Sequence, residues 1–568
     1  MDWKKTLNIT AIGLVSWLLV IQWSNFSDLR EAERLTPTAE DGTPEVALGQ
    51  AESYTESYVG YVPPTPEDPV TITKKPLDTR LITVETDTLS VTIDTRGGDI
   101  VDVKLLQHLT KMAEDGGKPF TLLTRSVDNK YIAESGLVGK NATDKRGKVI
   151  FRPQFSVAQS SYTLVPGQER LSVDLKLKQG DVNIIKRFNF SENEYSIGVN
   201  YLVENNSYDS WEAVFYGFIM RDSHEPLVES SGGVSPYLGA ALRMADKNYA
   251  KYDFNDLSEE NVVEEIKGGW VAMVQHYFIS AWVPPRNDNN RFTLHKEPGQ
   301  DIYYFGFTGE KIIIPAGSTG QYSAQFYVGP KDQQKLESLA EHLELTVDYG
   351  FLWMLAKPIF AAMQFIYGLV GNWGWAIILL TIGIKILLYP LSAASLRSMA
   401  KMRSLQPKME RLKETYGDDR QKMSQELMAL YKKEKVNPAG GCFPMLLQMP
   451  VFLSLYWVLL ESVEIRHSPW IFWIADLSAK DPYFILPIVM GASMLLMQKM
   501  QPMPTDPTQA MVMKIMPIAF TFFFMIFPSG LVLYWTVNNL LSMLQQWYVN
   551  RQLAATQSAA KNSKKNKK

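Results

Sequence analysis

Apolar and polar residues are distributed so unevenly along the chain that two halves can be distinguished. Between residues 71 and 345 they alternate over short runs, whereas between residues 350 and 550 apolar residues form long stretches. A period of two is typical of half-buried strands, and an apolar run of about 20 residues is long enough for a helix to cross a bilayer. The pattern predicts an all-β domain followed by a polytopic helical membrane domain.

The alternating half predicts a β-sandwich over residues 71–345. In "RLITVETDTLSVTID" the apolar residues fall on alternate positions, and a Gly97-Gly98 turn follows. Strands at regular spacing with few helical segments favour a sandwich. The stretch "DQQKLESLAEHL", residues 332–343, reads instead as a helix that leads toward the membrane.

The N-terminal segment, residues 1–24, predicts a membrane anchor. Lys4 and Lys5 precede an apolar run that ends at Trp23, and no small-residue cleavage site follows it. A cleavable signal peptide is the alternative. Residues 25–70 are acidic and rich in Pro, Thr, Ser and Glu, which predicts a disordered linker on the periplasmic side.

The apolar half divides into an interfacial helix and a membrane core. Residues 350–370 carry Lys357, Pro358 and many aromatic residues, which favours an amphipathic helix at the membrane surface. Residues 372–550 then predict five spans, at about 373–391, 442–462, 483–499, 512–527 and 530–549. With the N-terminal anchor, the prediction is six transmembrane helices around a five-helix core.

Basic residues set the orientation. The segment 395–440 holds eleven Lys or Arg residues against six acidic ones, so the positive-inside rule places it in the cytoplasm. The basic tail, residues 551–568, is also expected there. Both termini are then cytoplasmic and the β domain lies outside, while Glu461 and Glu464 are expected to meet water at the outer end of a span.

The cytoplasmic segment 395–440 predicts a helical hairpin, because apolar residues recur there every three or four positions on both sides of the turn "YGDDR". The alternative is a solvated loop whose charges only set topology. The candidate functional residues of the hairpin are Arg397, Lys401, Arg403, Lys408, Arg411, Asp418 and Asp419.

Lys385 is the main candidate for chemistry, because it interrupts the apolar run "TIGIKILLYP". A charge deep in hydrocarbon costs at least ~2.5–3.5 kcal/mol. The lysine either reaches the cytoplasmic interface by snorkelling or lines a wet cavity. Several polar residues of the predicted spans could line such a cavity, and the two alternatives are equally open. These residues are Thr381, Gln448, Ser454, Asn538, Asn539 and Ser542.

Composition excludes several classes of function. The net charge of -3 gives no general case for nucleic-acid binding, and a single cysteine, Cys442, allows no internal disulfide. The six histidines form no close pair, and no zinc spacing, phosphate-binding loop, dinucleotide fingerprint or nucleophile-elbow motif occurs. We therefore expect no enzyme, no cofactor and no metal site.

Long blocks of the sequence resemble the YidC/Oxa/Alb family of membrane protein insertases, in its Gram-negative form. The resemblance is most specific in "NWGWAIILLTIGIKILLYPL", "SMAKMRSLQPKMERLKETYGDD", "KVNPAGGCFPMLLQMPVF", "DLSAKDPYFILPIVMG" and "FPSGLVLYWTVNN". It implies a periplasmic sandwich similar to mutarotase-like folds. It also implies a five-helix core in the bacterial inner membrane, with a hydrophilic groove open to the cytoplasm and to lipid.

The resemblance places a cation of the first core span in that groove, at Lys385, where the family usually has arginine. Tyr534 matches one member of an aromatic pair, and Trp535 stands where a second tyrosine is expected. The implied groove residues are Lys385, Thr381, Gln448, Met449, Pro450, Phe452, Tyr534, Trp535 and Asn538.

The function implied is a membrane protein insertase and chaperone that acts on nascent membrane proteins in the phospholipid bilayer. The implied partners are the ribosome, the Sec translocon and the targeting machinery. A transporter or channel for a small solute or ion is the alternative from another class, and it would need a continuous polar path. A carbohydrate enzyme in the β domain would need a pocket of converging groups, whereas Glu212, His224 and Glu229 are only neighbours in sequence.

Overall fold

A computed structural model describes residues 80–126, 129–144, 151–224, 236–416, 419–434, 443–501 and 507–565. The predicted anchor 1–24 and linker 25–70 lie outside the described residues. The described residues up to 501 and from 517 onward belong to one compact unit, and residues 507–516 are grouped apart from it.

The first part of this unit is built from 18 strands. They are β1 Leu81–Glu85, β2 Leu89–Asp94, β3 Asp99–Leu109, β4 Pro119–Arg125, β5 Lys130–Val138, β6 Ser161–Thr163, β7 Arg170–Gln179, β8 Val182–Ser191, β9 Ser196–Asn205, β10 Trp211–Arg221, β11 Gly239–Leu242, β12 Ala250–Tyr252, β13 Val262–Lys267, β14 Val271–Val274, β15 Phe278–Val283, β16 Asn289–Lys296, β17 Tyr303–Ile314 and β18 Ser318–Pro330.

The strands form two sheets that confirm the predicted sandwich. One has ten strands in the order β13-β16-β17-β10-β5-β4-β3-β2-β1-β6, and the other has eight in the order β12-β11-β14-β15-β18-β9-β8-β7. Neighbours are antiparallel except for the parallel pair β1 and β6. In β8 every second side chain is buried, as the alternation in sequence requires. Trp282, Phe215 and Phe307 lie in the resulting apolar core.

Helices make up the remainder. A short α1 (Asp256–Glu259) lies within the sandwich sequence, and α2 (Gln333–Leu339) follows β18. The apolar half contains α3 Trp353–Val370, α4 Trp373–Leu387, α5 Tyr389–Ser404, α6 Gln406–Tyr416, α7 Arg420–Lys433, α8 Phe443–Glu461, α9 Ile485–Lys499, α10 Pro507–Phe524 and α11 Ser529–Lys565.

Only some of the described helices are long and apolar enough to cross a membrane. Gly350–Val370 is by itself long and apolar enough to cross, although the sequence predicts an interfacial helix there. Helices α4 and α5 meet the same test together, but they are bent by 70° at their junction. The bend falls at Leu388, two residues before Pro390, whose ring lies in the first turn of α5.

Four helices pack around α11. Helices α4, α5, α8 and α9 all contact it, and α3 packs on both α4 and α8. One expectation for the end of α8 is wrong. Glu461, the last residue of α8, does not meet water: it is 5% exposed, and its carboxylate lies 2.7 Å from the Lys331 ammonium. A partner 130 residues away in the β domain keeps it from solvent.

Candidate functional site

Lys385 lies in the last turn of α4 and points into the bundle. Its Nζ donates one hydrogen bond to Gln448 Oε1 at 3.1 Å and a second to Ser542 Oγ at 2.8 Å. The residue is only 9% exposed. The ammonium is therefore stabilised by side chains of α8 and α11, and the snorkelling alternative does not describe its position.

Gln448 joins the three helices. Its Oε1 accepts from Lys385, while its Nε2 donates to Tyr534 OH at 3.3 Å and also to Asn538 Oδ1. We call Lys385, Gln448, Tyr534, Asn538 and Ser542 the polar cluster. Burial of several polar groups among apolar helices is tolerated because each of these contacts satisfies a donor.

The spacing along α11 explains why its residues meet. Tyr534, Asn538 and Ser542 follow one another at intervals of four, so they lie on one face of the helix. Ser542 Oγ also donates to Asn538 O at 2.7 Å, and Gln545 Nε2 donates to Lys385 O at 3.4 Å. Ser542 is one of the polar residues of the predicted spans but not one of the implied groove residues, although the interval of four points to it.

Two more predicted residues lie beside the cluster without bonding to it. Thr381 is one turn before Lys385 and is 1% exposed, and its hydroxyl donates to Ile377 O of its own helix at 2.6 Å. Phe452 is one turn after Gln448, and its ring stacks on that of Tyr534 with centroids 6.3 Å apart. Phe452 therefore borders the cluster with an apolar ring, and Thr381 borders it with a hydroxyl that is already bonded within α4.

The remaining predicted residues of the groove are Met449, Pro450 and Trp535. Met449 is half-buried, like Gln448, and Pro450 is exposed. Trp535 packs against Phe452 at 4.7 Å between centroids, and it also contacts Phe520 and Phe524. Its indole N–H is buried and has no partner among the described residues. Trp535 thus belongs to an aromatic cluster rather than to the polar one.

The predicted hairpin is present as α6 and α7, and it has a small core of its own. Leu405 and Met409 are buried, and the apolar residues packed against them are Met402, Leu427, Leu430 and Tyr431. Lys408 Nζ lies 2.5 Å from Glu434 Oε1, which joins the two ends of the hairpin. The loop alternative is therefore wrong for this segment.

The charged residues of the hairpin face outward. All five basic residues predicted to be functional are exposed: Arg397, Lys401, Arg403, Lys408 and Arg411. Arg403 donates to Met500 O at 3.3 Å, at the end of α9. Asp419 caps α7 by accepting from the backbone N–H groups of Gln421 and Lys422, and Asp418 lies outside the described residues.

Two family models match the chain. One, described as "60Kd inner membrane protein", matches residues 365–557, and the other, described as "YidC periplasmic domain", matches residues 81–362. The first therefore covers most of the helical part of the chain, and the second covers the sandwich together with α2 and the beginning of α3.

Relatives match over almost the full length. A protein named membrane protein insertase YidC from Cellvibrio japonicus (strain Ueda107) is 48% identical over 563 residues, which cover 99% of this chain and 100% of the relative. The protein of the same name from Stutzerimonas stutzeri (strain A1501) is 48% identical over 559 residues, covering 98% and 99%. A crystal structure of an active YidC insertase with its first transmembrane domain resolved covers 83% of this chain and 92% of its own, at 20% identity and a TM-score of 0.37.

Proposed function

We propose, from the premise that this chain belongs to the YidC family of membrane protein insertases, that its polar cluster is where substrates meet the protein. The protein inserts nascent membrane proteins into the inner membrane and carries a periplasmic domain. Insertion is not an enzymatic function, and family membership decides against the transporter alternative.

The position of the Lys385 ammonium carries the proposal. A lone cation held in the bundle by Gln448 and Ser542 is costly for stability, so a purely structural role gives no reason to keep it. Both acceptors are neutral side chains. The charge of Lys385 is therefore available to an incoming anion.

The proposed mechanism uses this charge to bring a polar flank of the substrate into the bundle. The apolar segment of a nascent chain contacts the lipid-facing side of the helices, while its short flank enters a groove at the cluster. A carboxylate on the flank replaces Gln448 or Ser542 as partner of the ammonium. The groove shortens the hydrocarbon path, and burial of the apolar segment in lipid, worth roughly 25 cal/mol per Å², drives release.

The remaining assignments follow the same proposal. We propose six spans, with the anchor 1–24 as the first, α3 at the membrane surface, and both termini in the cytoplasm. The exposed basic face of the hairpin and the tail 551–568 would then meet the ribosome and the targeting machinery, in part by electrostatic attraction to RNA. The Sec translocon is the proposed partner within the membrane.

Charge reversal at Lys385 tests the site. Lys385→Glu is compared with Lys499→Glu, which makes the same change at an exposed position near the end of α9. Purified variants in proteoliposomes are given two versions of one substrate, with an acidic or a neutral flank. We expect Lys385→Glu to reduce insertion of the acidic version by ~10-fold or more, since it replaces attraction by repulsion. Lys499→Glu should insert both versions normally.

The neutral version separates loss of the site from loss of the fold. A variant that no longer folds fails with both substrates, whereas a variant with a reversed site charge fails mainly with the acidic one. Normal insertion of the acidic version by Lys385→Glu would contradict the proposed role of the ammonium.

A further inference from the structure

The outer end of α8 is held by the β domain through contacts of three kinds. Lys331, which directly follows β18, places its Nζ 2.7 Å from Glu461 Oε2. The ring of His276, in the turn between β14 and β15, bonds through Nε2 to Leu460 O at 2.8 Å. The guanidinium of Arg466, beyond α8, lies over the ring of Tyr277 at 5.8 Å.

Burial makes the ion pair the strongest of these constraints. The side chains of Lys331 and Glu461 are 3% and 6% exposed. Removing one partner of a buried pair leaves a charge without compensation, whereas an exposed pair contributes little. The other ion pairs of this unit include Lys311 with Glu212 at 2.6 Å, where the side chains are 53% and 27% exposed. That pair has the same chemistry without the burial.

Lys331 is itself held rigidly. Its backbone N–H donates at 2.9 Å to the carbonyl of Tyr277, which directly precedes β15, and the next residue, Asp332, caps α2 by accepting from two backbone N–H groups. The ammonium therefore projects from a fixed point between a strand end and a helix start. Whatever it binds is fixed relative to the sandwich.

Helix α8 transmits this constraint to the polar cluster. Gln448 and Glu461 lie on the same helix, about 20 Å apart at ~1.5 Å per residue. Between them Phe452, Leu455 and Leu459 are buried on the face that packs in the bundle. A shift or rotation of the outer end of α8 would therefore change where Gln448 meets Lys385.

We propose that Lys331 is a positioning residue for insertion: its buried ion pair with Glu461 sets the position of α8 and thereby the geometry of the polar cluster. This inference rests on the proposed role of that cluster. Under this proposal the β domain takes part in insertion through Lys331, at its border with the helices.

Insertion assays compare the loss and the exchange of the pair. Lys331→Met and the milder Glu461→Gln are each measured in proteoliposomes, beside the double exchange Lys331→Glu with Glu461→Lys. Lys311→Met is the matched control, since it breaks a Lys–Glu pair at the surface of the sandwich. We expect Lys331→Met to lose ~10-fold or more of the insertion rate, the exchange to recover it to within about threefold, and the control to stay within about twofold.

A distance measurement reports the position of α8 without reference to insertion. In a Cys442→Ser background, which removes the sole cysteine, nitroxides are placed at Leu379 of α4 and Leu453 of α8. Lys331→Met should shift or broaden the distribution of distances between the labels, and Lys311→Met should leave it unchanged. The exchanged pair should return it toward that of the starting protein.

The two readouts separate the two proposals. An unchanged distance in Lys331→Met would overturn the positioning role, even if insertion were lost. Unchanged insertion in both single variants would overturn it as well. If the distance responds while Lys385→Glu inserts normally, Lys331 positions α8 and only the proposed role of the polar cluster fails.

Discussion

Acidification should weaken the attachment of the β domain to α8, because His276 is buried there in its neutral form. A backbone carbonyl can only accept, so the bond to Leu460 O requires a proton on Nε2. The other ring nitrogen, Nδ1, is buried and has no partner among the described residues. Burial, together with the charges of Lys331 and Arg466, lowers the pKa of His276 from 6.5 to about 3, although the bond to Leu460 O acts in the opposite direction.

The sign of the effect follows from the two states. In the unfolded chain His276 takes up a proton as pH falls through ~6.5, but in the folded protein it stays neutral down to about pH 3. Between these values the unfolded state binds more protons than the folded state. The contribution of His276 to the free energy of unfolding is therefore fully present above pH 6.5 and is lost progressively as pH falls toward 3. At pH 5.5 the protonated form of His276 outnumbers the neutral form about tenfold in the unfolded chain. This lowers the free energy of unfolding by about 1.4 kcal/mol relative to pH 7.5.

The variant His276→Gln isolates this contribution. Glutamine can still donate to Leu460 O, but it does not titrate. The free energy of unfolding of the full-length protein in detergent is measured by chemical denaturation at pH 7.5 and pH 5.5. We expect the starting protein to lose about 1.4 kcal/mol more than His276→Gln does.

An equal loss in the starting protein and in His276→Gln would refute this reasoning, because the loss would then arise from other groups. His108 is the first of these to consider. It is partly buried, its pKa is lowered to about 4 for the same physical reason, and it remains present in both proteins. Its contribution cancels in the comparison.

Three further predictions concern the parts of the protein away from this contact. Met409→Asp places a charge in the small core of the hairpin, so proteolysis between α6 and α7 should become faster while the sandwich stays resistant. Lys186→Met removes the ammonium that donates to Gly97 O, Gly98 O and Ser135 O, and denaturant unfolding should show a loss of ~1–3 kcal/mol. Truncation after residue 550 removes six basic residues, and co-sedimentation with ribosomes should fall most at low salt.

Local periodicity was sufficient to predict the sandwich and the hairpin. In β8 the alternation of Val182, Ile184, Phe188 and Phe190 matches the buried positions. In the hairpin the recurring Leu405 and Met409 are buried and form its small core. Both patterns depend on the period of a single element, which a sequence displays directly.

Contacts between elements that are far apart in sequence cannot be predicted from the period of a single element. Glu461 has the sequence context of a residue at a wet helix end, and only the fold brings Lys331 to it. Trp535 and Tyr534 both contact the ring of Phe452, but Trp535 also packs in an aromatic cluster, whereas Tyr534 also reaches Gln448. Neighbours in a helical sequence are about 100° apart around the axis, so an aromatic pair in sequence need not share all its partners.

A lysine at position 385, where the resemblance implies an arginine, has a physical consequence for substrate choice under the proposed role of the polar cluster. A guanidinium presents a planar fork that pairs with a carboxylate through two parallel bonds, whereas an ammonium is a point charge with three donors that can turn. Two donors of Lys385 are taken by Gln448 and Ser542, both of which are neutral and exchangeable. A carboxylate needs no fixed orientation to replace either of them. The cluster should therefore discriminate among substrate flanks by charge rather than by the geometry of the acidic group.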